Sequence, residues 1–411
     1  MVMKMNNRSL QAIIETVGTP TFVYSENTLI ANVKRVIQAI STSGIQNKIN
    51  LYVSYFANSN PHLASLLESW KVGLTLQSLE ENEQLKRFGL NSISKVLSPT
   101  HLSREDLNYF TRERIPINCA TLSNLELLLK CGADEPRIRV DLSPESNQRQ
   151  GIKPGQFPEV KALLKKYGKT LYGIQMYAGT GNGLEVHTRF QTKGFECLSD
   201  FPELKEINLG GGFKFDYEKQ EHFEWLPYFR TLKERIQKYA LNSNVVICIE
   251  PGRDVLADVG QLVLQVNGVE KTWGKECYEI FTNGSYVYMP SATIRPRQHH
   301  LQFYDSTFSL ICNESHKEKA AQLSGNTTLS SDRLFPGIVY IPSSLKEGDY
   351  IIVEDVGAYC ATQHMDFLNK TPAAEVLIRK NGTTDIITSR GNLTDKTRYV
   401  LSSPQTIRRK Q

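Results

Sequence analysis

The chain reads as an α/β barrel joined to an antiparallel β-domain. Three observations predict this. Short apolar runs rich in β-branched residues alternate with amphipathic helical stretches from about residue 28 to 268. The texture after Gly268 changes to strand-like runs separated by turns, with little helix. At 411 residues, the chain exceeds one ordinary core of ~100–200 residues, so two domains are expected.

The elements follow in order. Thr21-Phe22-Val23-Tyr24 is a strand able to join the second domain. Leu29 to Ile40 reads as a helix and Ile49 to Tyr55 as a strand. Leu63 to Trp70 is helical, Gly73 to Leu76 extended, and Leu79 to Phe88 helical, closed by Gly89. Val96-Leu97-Ser98 is strand-like and precedes a helix near Arg104 to Arg112. Strands recur at Arg137 to Val140, Leu171 to Ile174, Ile207 to Leu209 and Val245 to Ile249. Repeated strand–helix units make a parallel sheet, either closed as a (β/α)8 barrel or open and doubly wound. Their number and length favour the barrel, over 28–268. The runs Tyr278 to Phe281, Tyr350 to Glu354 and Ala374 to Ile378 belong to the β-domain, assigned to 1–27 and 269–411.

Composition narrows the function classes. Hydrophobic residues make up 40% and charged residues 22%, as in ordinary globular proteins. The net charge is +5 with 48 basic residues spread along the chain, apart from Arg408-Arg409-Lys410, so neither nucleic acid nor membrane is an expected partner. No apolar run approaches the ~20 residues that cross a bilayer, and the first residues lack a signal-peptide core, which together predict a cytoplasmic protein. Seven cysteines without a Cys-x-x-Cys pair suggest neither a disulfide framework nor zinc. His187, His299-His300 and His316 have no metal-ligand spacing, so no metal is expected.

The most informative segment is Tyr52-Val53-Ser54-Tyr55-Phe56-Ala57-Asn58-Ser59-Asn60-Pro61. It resembles the strand end of the fold-type III pyridoxal-phosphate decarboxylases, of the diaminopimelate and ornithine decarboxylase type. There the pattern is tyrosine-alanine-valine-lysine-alanine-asparagine-serine-asparagine-proline, and the lysine forms a Schiff base with the cofactor. Phe56 stands at the lysine position, and a benzyl group supplies no amine. The resemblance covers nearly the whole chain, from Thr19-Pro20-Thr21 to Pro372-Ala373-Ala374. It implies an alanine-racemase-like barrel with the decarboxylase C-terminal β-domain.

Three further motifs keep the family pattern in the family order. Leu209-Gly210-Gly211-Gly212-Phe213 follows a barrel strand, and its glycines let backbone N–H groups cradle a phosphate. In Glu250-Pro251-Gly252-Arg253 the resemblance gives the glutamate to the pyridine nitrogen, and Gly252 and Arg253 to the phosphate. In Asp355-Val356-Gly357-Ala358-Tyr359 it gives Tyr359 to the phosphate. A glycine triplet alone is more often a tight turn; three motifs in order make coincidence unexpected.

Other positions depart from the family. Tyr177 replaces a histidine that stacks on the cofactor ring, and a tyrosine can stack too. Thr328 replaces the cysteine that donates a proton, and Leu329 the acid that reads the substrate. Thr75 stands where an aspartate is common. Cys360, next to Tyr359, is a candidate replacement proton donor. Arg295, before Pro296, resembles the arginine that holds a distal substrate carboxylate. Arg149 and Asp332 resemble an ion pair across the family's two-fold dimer, so a homodimer is implied.

Three readings stay open. The first is a divergent decarboxylase of amino-acid or amine-derived biosynthesis that holds pyridoxal 5'-phosphate non-covalently, if at all. Lys48, Lys71 and Lys153 could replace the missing amine, but none ends a matching strand. The second is a silent homologue that regulates, or pairs as a heterodimer with, an active one. The third is a binding protein for another phosphate-bearing small molecule.

Overall fold

The computed structural model describes residues 7–142, 151–242, 244–272, 276–311 and 319–400. Helix α1 (Asn7–Val17) and strand β1 (Thr21–Ser25) come first. Alternation then runs through α2 (Glu26–Ser43), β2 (Ile49–Ser54), α3 (Pro61–Glu68), β3 (Gly73–Leu76), α4 (Leu79–Arg87), β4 (Lys95–Leu97), α5 (Arg104–Arg112), β5 (Asn118–Cys119), α6 (Leu122–Lys130) and β6 (Arg137–Val140). It continues through α7 (Phe157–Lys166), β7 (Gly173–Met176), α8 (Leu184–Glu196), β8 (Glu206–Asn208), α9 (Trp225–Lys238), β9 (Val246–Ile249) and the short α10 (Arg253–Leu256). Strands then predominate: β10 (Gly260–Lys271), β11 (Tyr278–Thr282), β12 (Leu301–Tyr304), β13 (Lys319–Ser324), β14 (Val339–Ile341), β15 (Tyr350–Val353), β16 (Ala374–Ile378) and β17 (Thr384–Thr388).

The chain divides into two compact units. The first holds residues 25–259 with the distant segment 357–362; the second holds 4–24, 260–356 and 363–411. In the first unit the parallel order is β4-β3-β2-β9-β8-β7-β6-β5. A parallel bridge from Leu97 to Ile117 links the two ends, so the barrel is nearly closed. Local chemistry starts the helices. Ser78 and Thr121 accept backbone N–H groups at the starts of α4 and α6, and Ser103 with Asp106 forms a reciprocal cap on α5. Gly44, left-handed at φ +68°, ends α2.

In the second unit β10 is the spine. It pairs antiparallel with β1, β11 and β15, and β12 pairs with β15. Only β11 with β13 is parallel among the described pairs. Leu262, Leu264, Ile351, Ile352 and Val353 are fully buried in its core. Asp332 is spoken for locally: its carboxylate accepts the Tyr286 and Thr327 backbone N–H groups, each at 2.9 Å, and the Ser285 hydroxyl at 3.3 Å. Arg149, the other member of the implied ion pair, lies outside the described residues.

Candidate functional site

Parallel strands place their carboxyl ends, and the loops after them, at one rim of a barrel. In the first unit that rim surrounds a cavity of about 320 Å³. Phe56, Tyr177, Gly211, Gly212, Glu250, Gly252, Arg253 and Tyr359 all line it, and Gly210 adjoins them on the same loop. Residues quoted from five separated motifs therefore meet in one place.

The loop after β8 needs its glycines. Gly210 has φ +66°, and a Cβ there would lie 2.0 Å from the Met176 carbonyl oxygen. Gly212 has φ +97°, and a Cβ would lie 2.0 Å from the Gly179 carbonyl oxygen. Backbone thus runs against backbone at the cavity wall. Asn208 fixes this loop to Glu250. Its side chain accepts from the Gly210 N–H at 2.9 Å and donates to Glu250 Oε1 at 2.7 Å.

Glu250 directly follows β9 at 5% exposure. Gln175 Nε2 donates to its Oε2 at 3.4 Å. Burial disfavours the charged carboxylate more than these donors favour it, and pushes its pKa up to about 7. The carboxyl therefore holds its proton more tightly than an exposed one. Ser54 Oγ donates to the Glu250 carbonyl at 3.0 Å and steadies the strand end.

Tyr359 reaches the rim because its segment is tied to barrel loops. Its N–H donates to the Ala57 carbonyl at 2.7 Å, the Gly357 N–H to the Ala257 carbonyl at 2.8 Å, and Asn58 Nδ2 to the Gly357 carbonyl at 2.9 Å. The Tyr359 ring lies 6.2 Å from Phe56, centroid to centroid. The Arg253 guanidinium packs 4.7 Å from the Tyr359 ring centroid and donates to Tyr217 Oη at 2.6 Å. Tyr177 shares a hydroxyl hydrogen bond with Thr180.

Not every sequence candidate joins this group. Cys360 is buried at 1% exposure, its Sγ pointing to the Ala358 carbonyl at 3.7 Å, and it is not among the lining residues. Arg295, Thr328 and Leu329 belong to the second unit, where all three are exposed. No lysine is found among the described residues that line the cavity. Lys48 instead donates to the Asn242 carbonyl at 2.7 Å. Sequence reading missed Asn208 and Arg139. A polar residue two places before the glycine triplet, and the alternation Arg137-x-Arg139 in a barrel strand, were the available signals.

No described cluster of His, Cys, Asp or Glu is arranged to hold a metal ion. Among the described residues no helix is long and apolar enough to cross a membrane.

A near-closed parallel barrel with a glycine loop, a buried acid and an arginine around a cavity at its rim defines an α/β-barrel protein with a candidate ligand site. The sequence places it more narrowly. Residues 30–257 match the family model described as "Pyridoxal-dependent decarboxylase, pyridoxal binding domain". The chain belongs to that family. Its relatives include diaminopimelate decarboxylase of Methanothermobacter thermautotrophicus, 23% identical over 92% of this chain and 90% of that one. Another is diaminopimelate decarboxylase of Staphylococcus aureus, 22% identical over 92% of each. The fold matches diaminopimelate decarboxylase from M. jannaschii in co-complex with L-lysine, with TM-score 0.84, 19% identity and coverage of 96% and 95%. It also matches the arginine decarboxylase of Paramecium bursaria Chlorella virus, with TM-score 0.77, 16% identity and coverage of 91% and 100%.

Proposed function

We propose that this chain holds pyridoxal 5'-phosphate, or a similar phosphate-bearing ring, without a covalent bond. We further propose that it does not run ordinary lysine-linked decarboxylation. The observation that carries this is Phe56 on the cavity wall with no lysine among the described lining residues.

The residues present fit the group non-covalently. A Cβ at Gly210 or Gly212 would strike the Met176 or Gly179 carbonyl and displace the loop from the cavity wall, and Gln175 Oε1 is a buried acceptor without a partner. The backbone of Gly211, Gly212, Gly252 and Arg253 would receive the phosphate, while Gly210, its N–H given to Asn208, shapes the loop. When bound, the coenzyme supplies an electron-withdrawing ring that stabilises charge on an amino-acid α-carbon. Glu250 can hold or release a proton at its carboxyl near neutral pH. Tyr177 offers a ring face at the cavity wall. Phe56 keeps water from that side and captures nothing. Thr328, Cys360 and Arg295 are not among the residues that line the cavity, and this reading assigns them no step.

A second reading keeps the same pocket without turnover: a partner or regulator of an active homologue, as homodimer or heterodimer. The joint replacement at Phe56, Thr328 and Leu329 favours it, because one mechanism loses consecutive groups. The test is an absorption spectrum of protein with pyridoxal phosphate, before and after borohydride. A cofactor that dialyses away yet raises the melting temperature supports the non-covalent reading. A yellow species fixed by borohydride means that a lysine has taken the role. Absence of binding leaves the silent partner.

A further inference from the structure

The wall that faces the glycine loop is polar and neutral. Round the barrel β4 stands four strands from β8 in either direction, so the residue after β4 lies across the mouth from the glycine loop. The half from β2 to β5 lends Ser54, Phe56, Gln77 and Ser98 to the cavity, and none is charged; Arg139, Glu250 and Arg253 all belong to the other half. Ser98 N–H donates to the Leu76 carbonyl at 3.0 Å, which sets Ser98 beside Gln77. The Gln77 backbone is held by its N–H to Glu81 Oε2 at 2.6 Å, while its carboxamide makes no hydrogen bond with a described residue. Asn118 Nδ2 donates to Ser98 Oγ at 3.0 Å, so the Ser98 hydroxyl keeps its own hydrogen to give. Beneath them Asn118 Oδ1 and Thr75 Oγ1, in side chains at 0% and 1% exposure, have no partner among the described residues. This side of the barrel therefore carries more hydrogen-bonding capacity than the protein uses, which is costly unless a ligand completes it. An ammonium group there would meet no carboxylate and an oxyanion no cation. An alcohol hydroxyl can accept from Ser98 and donate to the Gln77 carbonyl oxygen.

We propose that the ring held in this cavity carries alcohol hydroxyls at the end remote from its phosphate, as a sugar or cyclitol phosphate does, read by Gln77 and Ser98. This rests on the phosphate-cup reading above and selects, within it, a hydroxylated ring over the coenzyme. A site built to bond hydroxyls discriminates against rings that lack them.

The test is calorimetric titration with three probes: methyl riboside 5-phosphate, tetrahydrofurfuryl phosphate, which keeps phosphate and ring but lacks the hydroxyls, and 4'-deoxypyridoxine 5'-phosphate, the coenzyme ring without its aldehyde. The riboside should bind at least tenfold tighter than the tetrahydrofurfuryl ester, about 1.4 kcal/mol, and tighter than the pyridoxine. Gln77→Met, of similar length, should bring the riboside-to-ester ratio within about threefold, and Ser98→Ala should lower it at least threefold. Neither variant should change affinity for the ester, because the glycine loop is untouched. A parent ratio below tenfold, a ratio unchanged in either variant, or tighter binding of the pyridoxine overturns the hydroxyl proposal while the phosphate cup stands. Failure of all three probes to bind the parent overturns both. Should one variant not fold, the other decides alone.

Discussion

Glu250 shows how one buried acid ties function to stability. Unfolded, it titrates near the usual 4.5; folded, near 7. Below pH 4.5 both states hold the proton. Between 4.5 and 7 the folded state keeps it while the unfolded chain has lost it, so stability falls as pH rises through that window and is level above it. The loss is on the order of 3 kcal/mol. Urea denaturation of ligand-free protein at pH 5 and pH 8 should include this contribution, and Glu250→Gln should remove about 3 kcal/mol from the fall between them. An equal fall in the variant would assign the effect to another group. Glu250 was legible because Glu-Pro-Gly-Arg is a compact motif. Asn208, Gln175 and Arg139 were not assigned roles, because facing inward at the rim depends on the register between strands rather than on local pattern. That Phe56 stands on the cavity wall could be expected from the motif; the meeting of Gln77 and Ser98 there could not.

At the scale of elements, the loop from Gly210 to Trp225 is pinned by one carboxylate. Asp254, fully buried on α10, accepts the Phe223 N–H at 2.6 Å, Trp225 Nε1 at 2.7 Å and Arg35 Nη2 at 2.9 Å. His222 lies 3.3 Å from Asp254 Oδ1 and 3.1 Å from Asp258 Oδ2, and these carboxylates hold its pKa up to about 9 against the opposing effect of burial. Behind the loop His187 stacks on Phe213 at 4.1 Å, and burial keeps its pKa down at about 4. Asp254→Asn removes a charge that four groups share. It should cost about 3 kcal/mol or more in denaturant unfolding, because it leaves Arg35 and His222 without their buried partner. A loss under 1 kcal/mol would show that the loop is held by its aromatic packing alone. Element identity was readable where caps and period agreed: Arg104–Arg112 and Ala374–Ile378 match the sequence reading in both bounds. β5, with two residues, is too short to leave a pattern, and β12, β13, β14 and β17 lie in turn-rich sequence where pairing decides.

For the whole molecule, the cup is assembled from segments far apart in the chain. Residues 357–362 count with the first unit, although in sequence they fall between β15 and β16 of the second. Their anchors are backbone bonds to Ala57 and Ala257, contacts of some 300 and 100 residues' separation that no local pattern announces. Tyr359 at φ +61° and Asp355 at φ +60° sit in backbone that residues other than glycine seldom adopt. Such a conformation persists where surroundings over-determine it, commonly at a ligand site. If a phosphate-bearing ring enters the cup, three remote stretches should order together. Hydrogen exchange with and without pyridoxal phosphate should show protection rising in 209–213, 250–253 and 357–360 at one common ligand midpoint, with β16 and β17 unchanged. At ligand one hundred times its dissociation constant the melting free energy should rise by about 2.7 kcal/mol. Protection confined to one stretch, or spread evenly over both units, would mean that the glycine loop, Glu250 and Tyr359 do not act on one ligand.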